Sequence, residues 1–373
     1  MLQWRNLLRL LTRRPHSLVC LLLLAPPAPA GAQVPVYQQP SAFSFEMDAF
    51  YRREWTRNLF AGDDQERWRL QARPRLSFTS RALTLGVGGD FNYADDDNTE
   101  PPEGQTSIAL QRDNFSSRDA RLDLAFARIE PGSWLRLEGG RFALPVTLTE
   151  MIWDADVRPQ GAAARLATDI GASSRVTATG LFSRGGHVFD DDGVTTLLGS
   201  ATYEGGSFDL TASVVSFRDI DELDPSLIRQ NSRGADGGFR YDSYDVIDVV
   251  LRIFYEGSLS VQLLADYAWN TAADDENRGF WGRARLGSME LARGMAEYTY
   301  ADVDRDVTLA AYASDDFIWS TAWQGHRGEL AFKTSERTAL HFSAQWQRFK
   351  GSPQIEERDH WVQRYRLDLR LSY

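Results

Sequence analysis

The 373-residue chain has one cysteine, Cys20, and only five histidines. A lone thiol forms no internal disulfide and no thiolate metal site. After the N-terminal segment the histidines are His187, His326, His341 and His360. None stands beside a nucleophile motif, which leaves hydrolytic chemistry without visible machinery and gives no reason to expect an enzyme. No cofactor or metal motif is present. The chain also lacks any run of eighteen apolar residues, which excludes a membrane-spanning helix. Basic residues are outnumbered 41 to 52, for a net charge of −11, so nucleic acid is not an expected partner.

The N-terminus has a composition of its own. Arg5, Arg9, Arg13 and Arg14 precede the apolar run LVCLLLLA (18–25), and Ala30-Gly31-Ala32 offers a small-residue cleavage site. Residues 1–32 therefore read as a secretory signal peptide that takes Cys20 with it. The exported chain, shorn of four arginines and no acids, is more acidic still. Residues 33–42 read as a short periplasmic tether and 43–373 as one further domain.

What fills that domain is alternation. In RWRLQARPRL (67–76) every odd position is Arg or Gln, while Trp68, Leu70, Ala72, Pro74 and Leu76 lie between. A helix would mix these sets and Pro74 would break it, whereas a strand separates them onto two faces. The pattern is strong near 43–52, 83–93, 259–270, 340–347 and 364–373. It is weaker near 119–129, 134–141, 161–168, 175–183, 194–203, 208–217, 246–255, 279–287, 290–300 and 325–333. The total is about sixteen strands, near the length a tilted membrane strand requires.

The connections alternate as well. Short turns such as 130–133, 204–207, 256–258 and 334–337 are interleaved with long polar segments such as 94–105, 218–238, 272–277 and 301–322. Tyr203, Tyr255, Trp134 and Phe208 fall beside short turns; Tyr93, Trp269 and Trp346 fall beside long loops, as two interfacial girdles would require. The expected fold is all-β: a transmembrane antiparallel β-barrel of about sixteen strands, with short periplasmic turns and long extracellular loops. A soluble sandwich would place the same aromatics in its core. Pro74 is a blemish in such a ladder, to be absorbed by a bulge or by a strand end.

Three blocks carry a family resemblance. EGGRFALPVTLTEMIWDADVRPQGAAARL (138–166) resembles the strand–GR–loop–WDxD–strand signature of the putative porin family of Gram-negative outer membranes. ADYAWNTAADDENRGFWGRARLG (265–287) resembles a later strand pair of that family. The terminal RYRLDLRLSY resembles the aromatic-ended strand recognised by barrel-insertion machinery. The resemblance implies an outer-membrane porin, a water-filled channel for passive diffusion of small hydrophilic solutes or ions. Trimers are usual for sixteen-strand porins, so a homotrimer is the assembly the resemblance suggests. Outer-membrane lipid and lipopolysaccharide are the expected surroundings.

In a barrel closed by its last strand, Arg52, Arg67, Arg69, Arg73, Arg75, Arg364, Arg366 and Arg370 share one inner wall. By analogy with general porins, the third long connection, 142–161, folds into the pore and brings Glu150, Asp154 and Asp156 opposite that wall. A basic wall facing an acidic loop sets up a transverse field, and the expected result is a mild anion preference. Two uses of the arginines stay open: contact with solutes, or cross-bracing through Glu46, Asp48 and Asp368. The acidic clusters Asp95–Asp97, Asp190–Asp192, Asp219–Asp224, Asp274–Glu276 and Asp302–Asp306 are expected in outer loops, as plain solvated surface or as sites for divalent ions. Trp281 is expected to face water. Rival readings are a channel selective for phosphate, carboxylates or sugars, a plugged structural barrel, an outer-membrane enzyme, and a soluble secreted binding protein.

Overall fold

The computed structural model describes residues 42–58, 64–94, 118–185, 193–257, 259–289, 293–314, 316–350 and 361–373. The N-terminal segment with its expected cleavage site, the acidic runs Asp95–Asp97 and Asp190–Asp192, and His187 and His360 lie outside them. The chain divides into units 1–38 and 39–373, and all that follows concerns the second.

Sixteen antiparallel strands close into one barrel. Each strand pairs with the next in sequence, and the last, β16 (Trp361–Ser372), pairs with the first, β1 (Ala42–Arg57). Closure leaves no strand edge unpaired, which a bilayer demands of any sheet that crosses it. The alternation decides which side chains point where. On β2 (Gln65–Ser80), Leu70 and Leu76 stand outward and are 47% and 46% exposed, while Arg69 and Gln71 point inward and are buried. The outer face continues with Leu83, Leu85 and Val87 on β3 (Leu83–Ala94), Leu367 and Leu369 on β16, and at least one exposed large apolar side chain on every other strand.

Aromatic side chains flank this band at both ends. Tyr51, Trp68 and Tyr93 stack side by side at the long-loop end, with Trp68 5.3 Å from Tyr93. Phe43 lies 4.8 Å from Phe78 at the turn end, where Tyr203 also meets Phe208.

Pro74 is accommodated by a fault line in the sheet. The β2–β3 ladder skips the two positions around it, pairing Ala72 with Phe91 and resuming at Arg75 with Gly88. The next ladder, from β3 to β4 (Arg118–Gly132), shifts register between Gly88 and Gly89. The β2–β3 ladder thus opens at the imino acid, which has no N–H to give it, and keeps its register on either side.

The inner face is not uniformly polar. Three long loops turn into the barrel: the third (142–159), between β5 (Leu135–Arg141) and β6 (Gln160–Ile170); the fifth (219–243); and the seventh (304–322). Trp153 of the third loop packs between Phe217 of the wall and Tyr312 of the seventh loop, at 6.2 and 5.2 Å. Trp281 lies in the same cluster, 4.9 Å from Phe317 and 6.1 Å from Trp323, and is 1% exposed. The expectation that Trp281 faces water is thus corrected: inward means loop-packed on this side of the barrel. Each such large apolar side chain contributes roughly 1.5–3 kcal/mol toward holding the loops inside.

Asp306 corrects the expectation that the acidic clusters face outward. It is fully buried and accepts hydrogen bonds from Tyr244 Oη at 3.0 Å and from the Ser232 backbone N–H at 2.9 Å. A buried carboxylate needs such donors, and here they clasp the fifth loop to the seventh.

Candidate functional site: the charged lumen

The wall where β16, β1 and β2 meet gathers the arginines. Register sets Arg52 opposite Asp368 and Arg69, and Glu54 opposite Arg366 and Arg67. So many guanidiniums on one wall are tolerable only beside water or carboxylates, and carboxylates are close by. Glu54, 1% exposed, accepts from Arg67 Nε at 2.6 Å and Arg366 Nε at 2.5 Å, with Arg364 Nε at 3.5 Å. Arg52 grips Asp368 with two bonds, Nε to Oδ1 at 2.8 Å and Nη2 to Oδ2 at 2.9 Å. Arg370 Nη2 shares the same carboxylate at 3.0 Å.

Further round the wall, Asp90 of β3 collects Arg121 at 2.8 Å, Gln71 at 2.9 Å and Arg73 at 3.4 Å. Asp123 of β4 takes Arg158 of the third loop in a forked pair at 2.8 and 3.3 Å, and Arg75 lies 3.9 Å away. Forked Arg–carboxylate pairs of this kind fix geometry as well as charge. Cross-bracing is therefore extensive, but its chief carboxylates are Glu54, Asp90 and Asp123 together with Asp368.

The acids of the third loop diverge. Asp156 reaches Arg73 on β2 at 2.7 Å. Glu150 faces the other way and forms a forked pair with Arg327 of β14 (Trp323–Lys333), at 2.8 and 3.0 Å. Arg327 also lies over the Phe317 ring, 4.6 Å from its centroid. Asp154 is buried within its own turn, where its carboxylate accepts from the Asp156 backbone N–H at 2.8 Å.

The carboxylate that meets Arg52 and Arg366 comes instead from the seventh loop. Asp316 Oδ1 lies 3.0 Å from Arg366 Nη1 and 3.4 Å from Arg52 Nη1. The guanidiniums of Arg366, Arg52 and Arg327 crowd Asp316 and hold its carboxyl well below the usual range. The two loops are joined by backbone bonds, Asp154 N–H to Tyr312 O at 2.7 Å and Ser314 N–H to Glu150 O at 3.0 Å. They position their acids as one unit.

Between loop and wall lies a small polar cavity of about 30 Å³. Arg52, Arg327, Arg366 and Arg370 line it against Asp316, Glu329 and Asp368, with His341 beside Glu329 at 3.1 Å. Glu54 could have been found from parity alone, since it shares the even-numbered face of β1 with Arg52. Asp316 carried a fainter signal: the apolar richness of VTLAAYASDDFIWSTA (307–322), unusual for a loop in water.

Residues 44–197 match the family described as putative porin. No curated protein sequence matches the chain. Among solved structures, Pseudomonas putida OprB in its high-pH form superposes with a TM-score of 0.59 at 12% identity, covering 89% of this chain and 94% of that one. The anion-selective porin from Comamonas acidovorans gives 0.54 at 13% identity, covering 89% and 100%. Salmonella typhi OmpF, solved with daunomycin, gives 0.54 at 11% identity, covering 89% and 97%. At such identities the likeness is one of fold. Residues 44–197 thus resemble the putative porin family, and the closed sixteen-strand barrel has the fold of bacterial outer-membrane porins.

Proposed function

We propose that the chain forms a water-filled channel in the outer membrane for passive diffusion of small hydrophilic solutes, with a mild preference for anions. The observation that carries the preference is the balance of charge at the narrow cavity, where four guanidiniums meet three carboxylates. A small basic excess raises the local concentration of anions without trapping them, because each arginine is already engaged by an acid. In this reading Arg370, 43% exposed, and the half-exposed Asp316 of the loop meet solutes, while the buried Arg52 and Arg366 set the field beside them. Arg67, Arg69, Arg73, Arg75 and Arg364 act as the braced wall behind them. The similarly folded porin from Comamonas acidovorans is itself anion-selective, in keeping with this reading. A homotrimer surrounded by lipopolysaccharide is part of the same proposal.

The reversal potential of the purified protein in a planar bilayer, under a potassium chloride gradient, tests the preference. The expected sign is weakly anionic, moving toward cations when Arg52 and Arg366 are both replaced by Gln. A cation preference that these substitutions leave unchanged would end the proposal. One observation favours a second reading, a plugged structural barrel: the third, fifth and seventh loops pack an apolar cluster inside the wall. That reading requires a silent bilayer.

A further inference from the structure

On the wall opposite the arginines, two carboxylates stand together without a cation. Asp248 of β10 (Tyr244–Tyr255) is 0% exposed and Asp266 of β11 (Val261–Asn270) is 1% exposed, and their side chains face each other at hydrogen-bonding range. No Lys or Arg among the described residues forms an ion pair with either. The nearest cationic neighbour by register is Arg283, which pairs with Leu264 one step along the wall and turns its guanidinium toward Glu297 at 3.8 Å. Arg252, further down β10, is engaged by Asp209 at 2.9 Å.

Two carboxylates in contact in a dry wall cannot both keep their charge unless something positive lies between them. That something is a proton or a metal ion, and the surrounding oxygens distinguish the two. A shared proton satisfies one oxygen of each acid. Yet the second oxygen of Asp248 still lacks a hydrogen-bond partner in the protein. So does the hydroxyl of Ser213, 3% exposed and directly opposite Asp248 on β9 (Phe208–Arg218). The remaining oxygen, Asp266 Oδ2, accepts the Thr149 hydroxyl of the third loop. One proton leaves the second Asp248 oxygen and the Ser213 hydroxyl unsatisfied, whereas an oxygen-coordinated divalent ion uses the whole set. Donors that are all oxygen, with two negative charges and no nitrogen or sulfur, suit a hard cation of calcium's kind.

We propose that Asp248 and Asp266, with the Ser213 and Thr149 hydroxyls, hold a calcium-like divalent cation that fastens the root of the third loop to the barrel wall. Thr149 immediately precedes Glu150, whose forked pair with Arg327 sets one side of the constriction. The ion therefore orders a pore-lining acid from behind. The site stands whether or not the barrel conducts.

Terbium luminescence on the folded full-length protein tests it, because Trp281 pairs directly with Asp266 and can sensitise an ion held there. The expected result is saturable terbium emission excited through tryptophan and displaced by calcium. Asp248→Asn and Asp266→Asn should each weaken it by at least about tenfold, since affinity at such sites follows ligand charge. Folding of the variants is verified separately by the heat-dependent gel shift of intact barrels. Emission that is absent, or unchanged in both folded variants, would overturn the site. So would a protonated carboxylic-acid band in the infrared spectrum that persists at saturating calcium and vanishes in Asp248→Asn.

Discussion

At the scale of single residues, Glu54 matters most to the wall. It is buried and is shared by Arg67, Arg364 and Arg366, so removing its charge leaves guanidiniums uncompensated. Breaking a buried ion pair from one side typically costs about 3–5 kcal/mol. Glu54→Gln is expected to lower unfolding stability in detergent by an amount of that order, while Glu66→Gln, at an exposed pair with Arg53, should change little. Equal effects of the two substitutions would contradict the bracing. Parity made this much legible: strand alternation assigns Arg52, Glu54, Arg67 and Arg69 to the inner face before any coordinates are known. It could not say which acid answers which base. That depends on strand stagger, and on Asp316 arriving from a loop 264 residues beyond Arg52.

At the scale of elements, the third loop leaves and re-enters the wall through a pair of glycines. Gly140 and Gly161 are register partners, and Gly140 has a φ of 110°. A Cβ on Gly140 would lie 2.2 Å from the Ala125 carbonyl oxygen, and one on Gly161 would lie 2.0 Å from that of Phe182. Neither backbone neighbour can yield cheaply. Gly140→Ala should destabilise the barrel by more than the ~1 kcal/mol of an ordinary Gly/Ala difference, read as a lower temperature for the heat-dependent gel shift. Gly180→Ala, where a Cβ would meet nothing within 4 Å, is the control expected to be neutral. The strands themselves were plain in the sequence because period two separates oil from charge. The in-folded loops were less so. Order along the chain pointed to the third loop by analogy, whereas the seventh betrayed itself only through apolar residues such as Phe317, Ile318 and Trp319, which now pack inside the barrel.

At the scale of the whole molecule, the sheet has two solvents and the chain provides a face for each. The outer band from Leu70 and Leu76 round to Leu367 and Leu369 stays exposed on the described barrel, which is the condition of a surface bathed in lipid. The inner space is divided between an apolar flank, where loops dock on Val215, Val246 and Trp281, and a charged flank of paired arginines and acids. Alternation revealed the division between outside and inside but not the division of the inside, because Val246 and Arg69 obey the same parity. Water must pass along the charged flank if the barrel is a channel. Single-channel recording of the purified protein in planar bilayers tests that most directly. The account predicts discrete, long-lived steps of conductance from each inserted barrel, and bilayers that stay silent after verified insertion would contradict it.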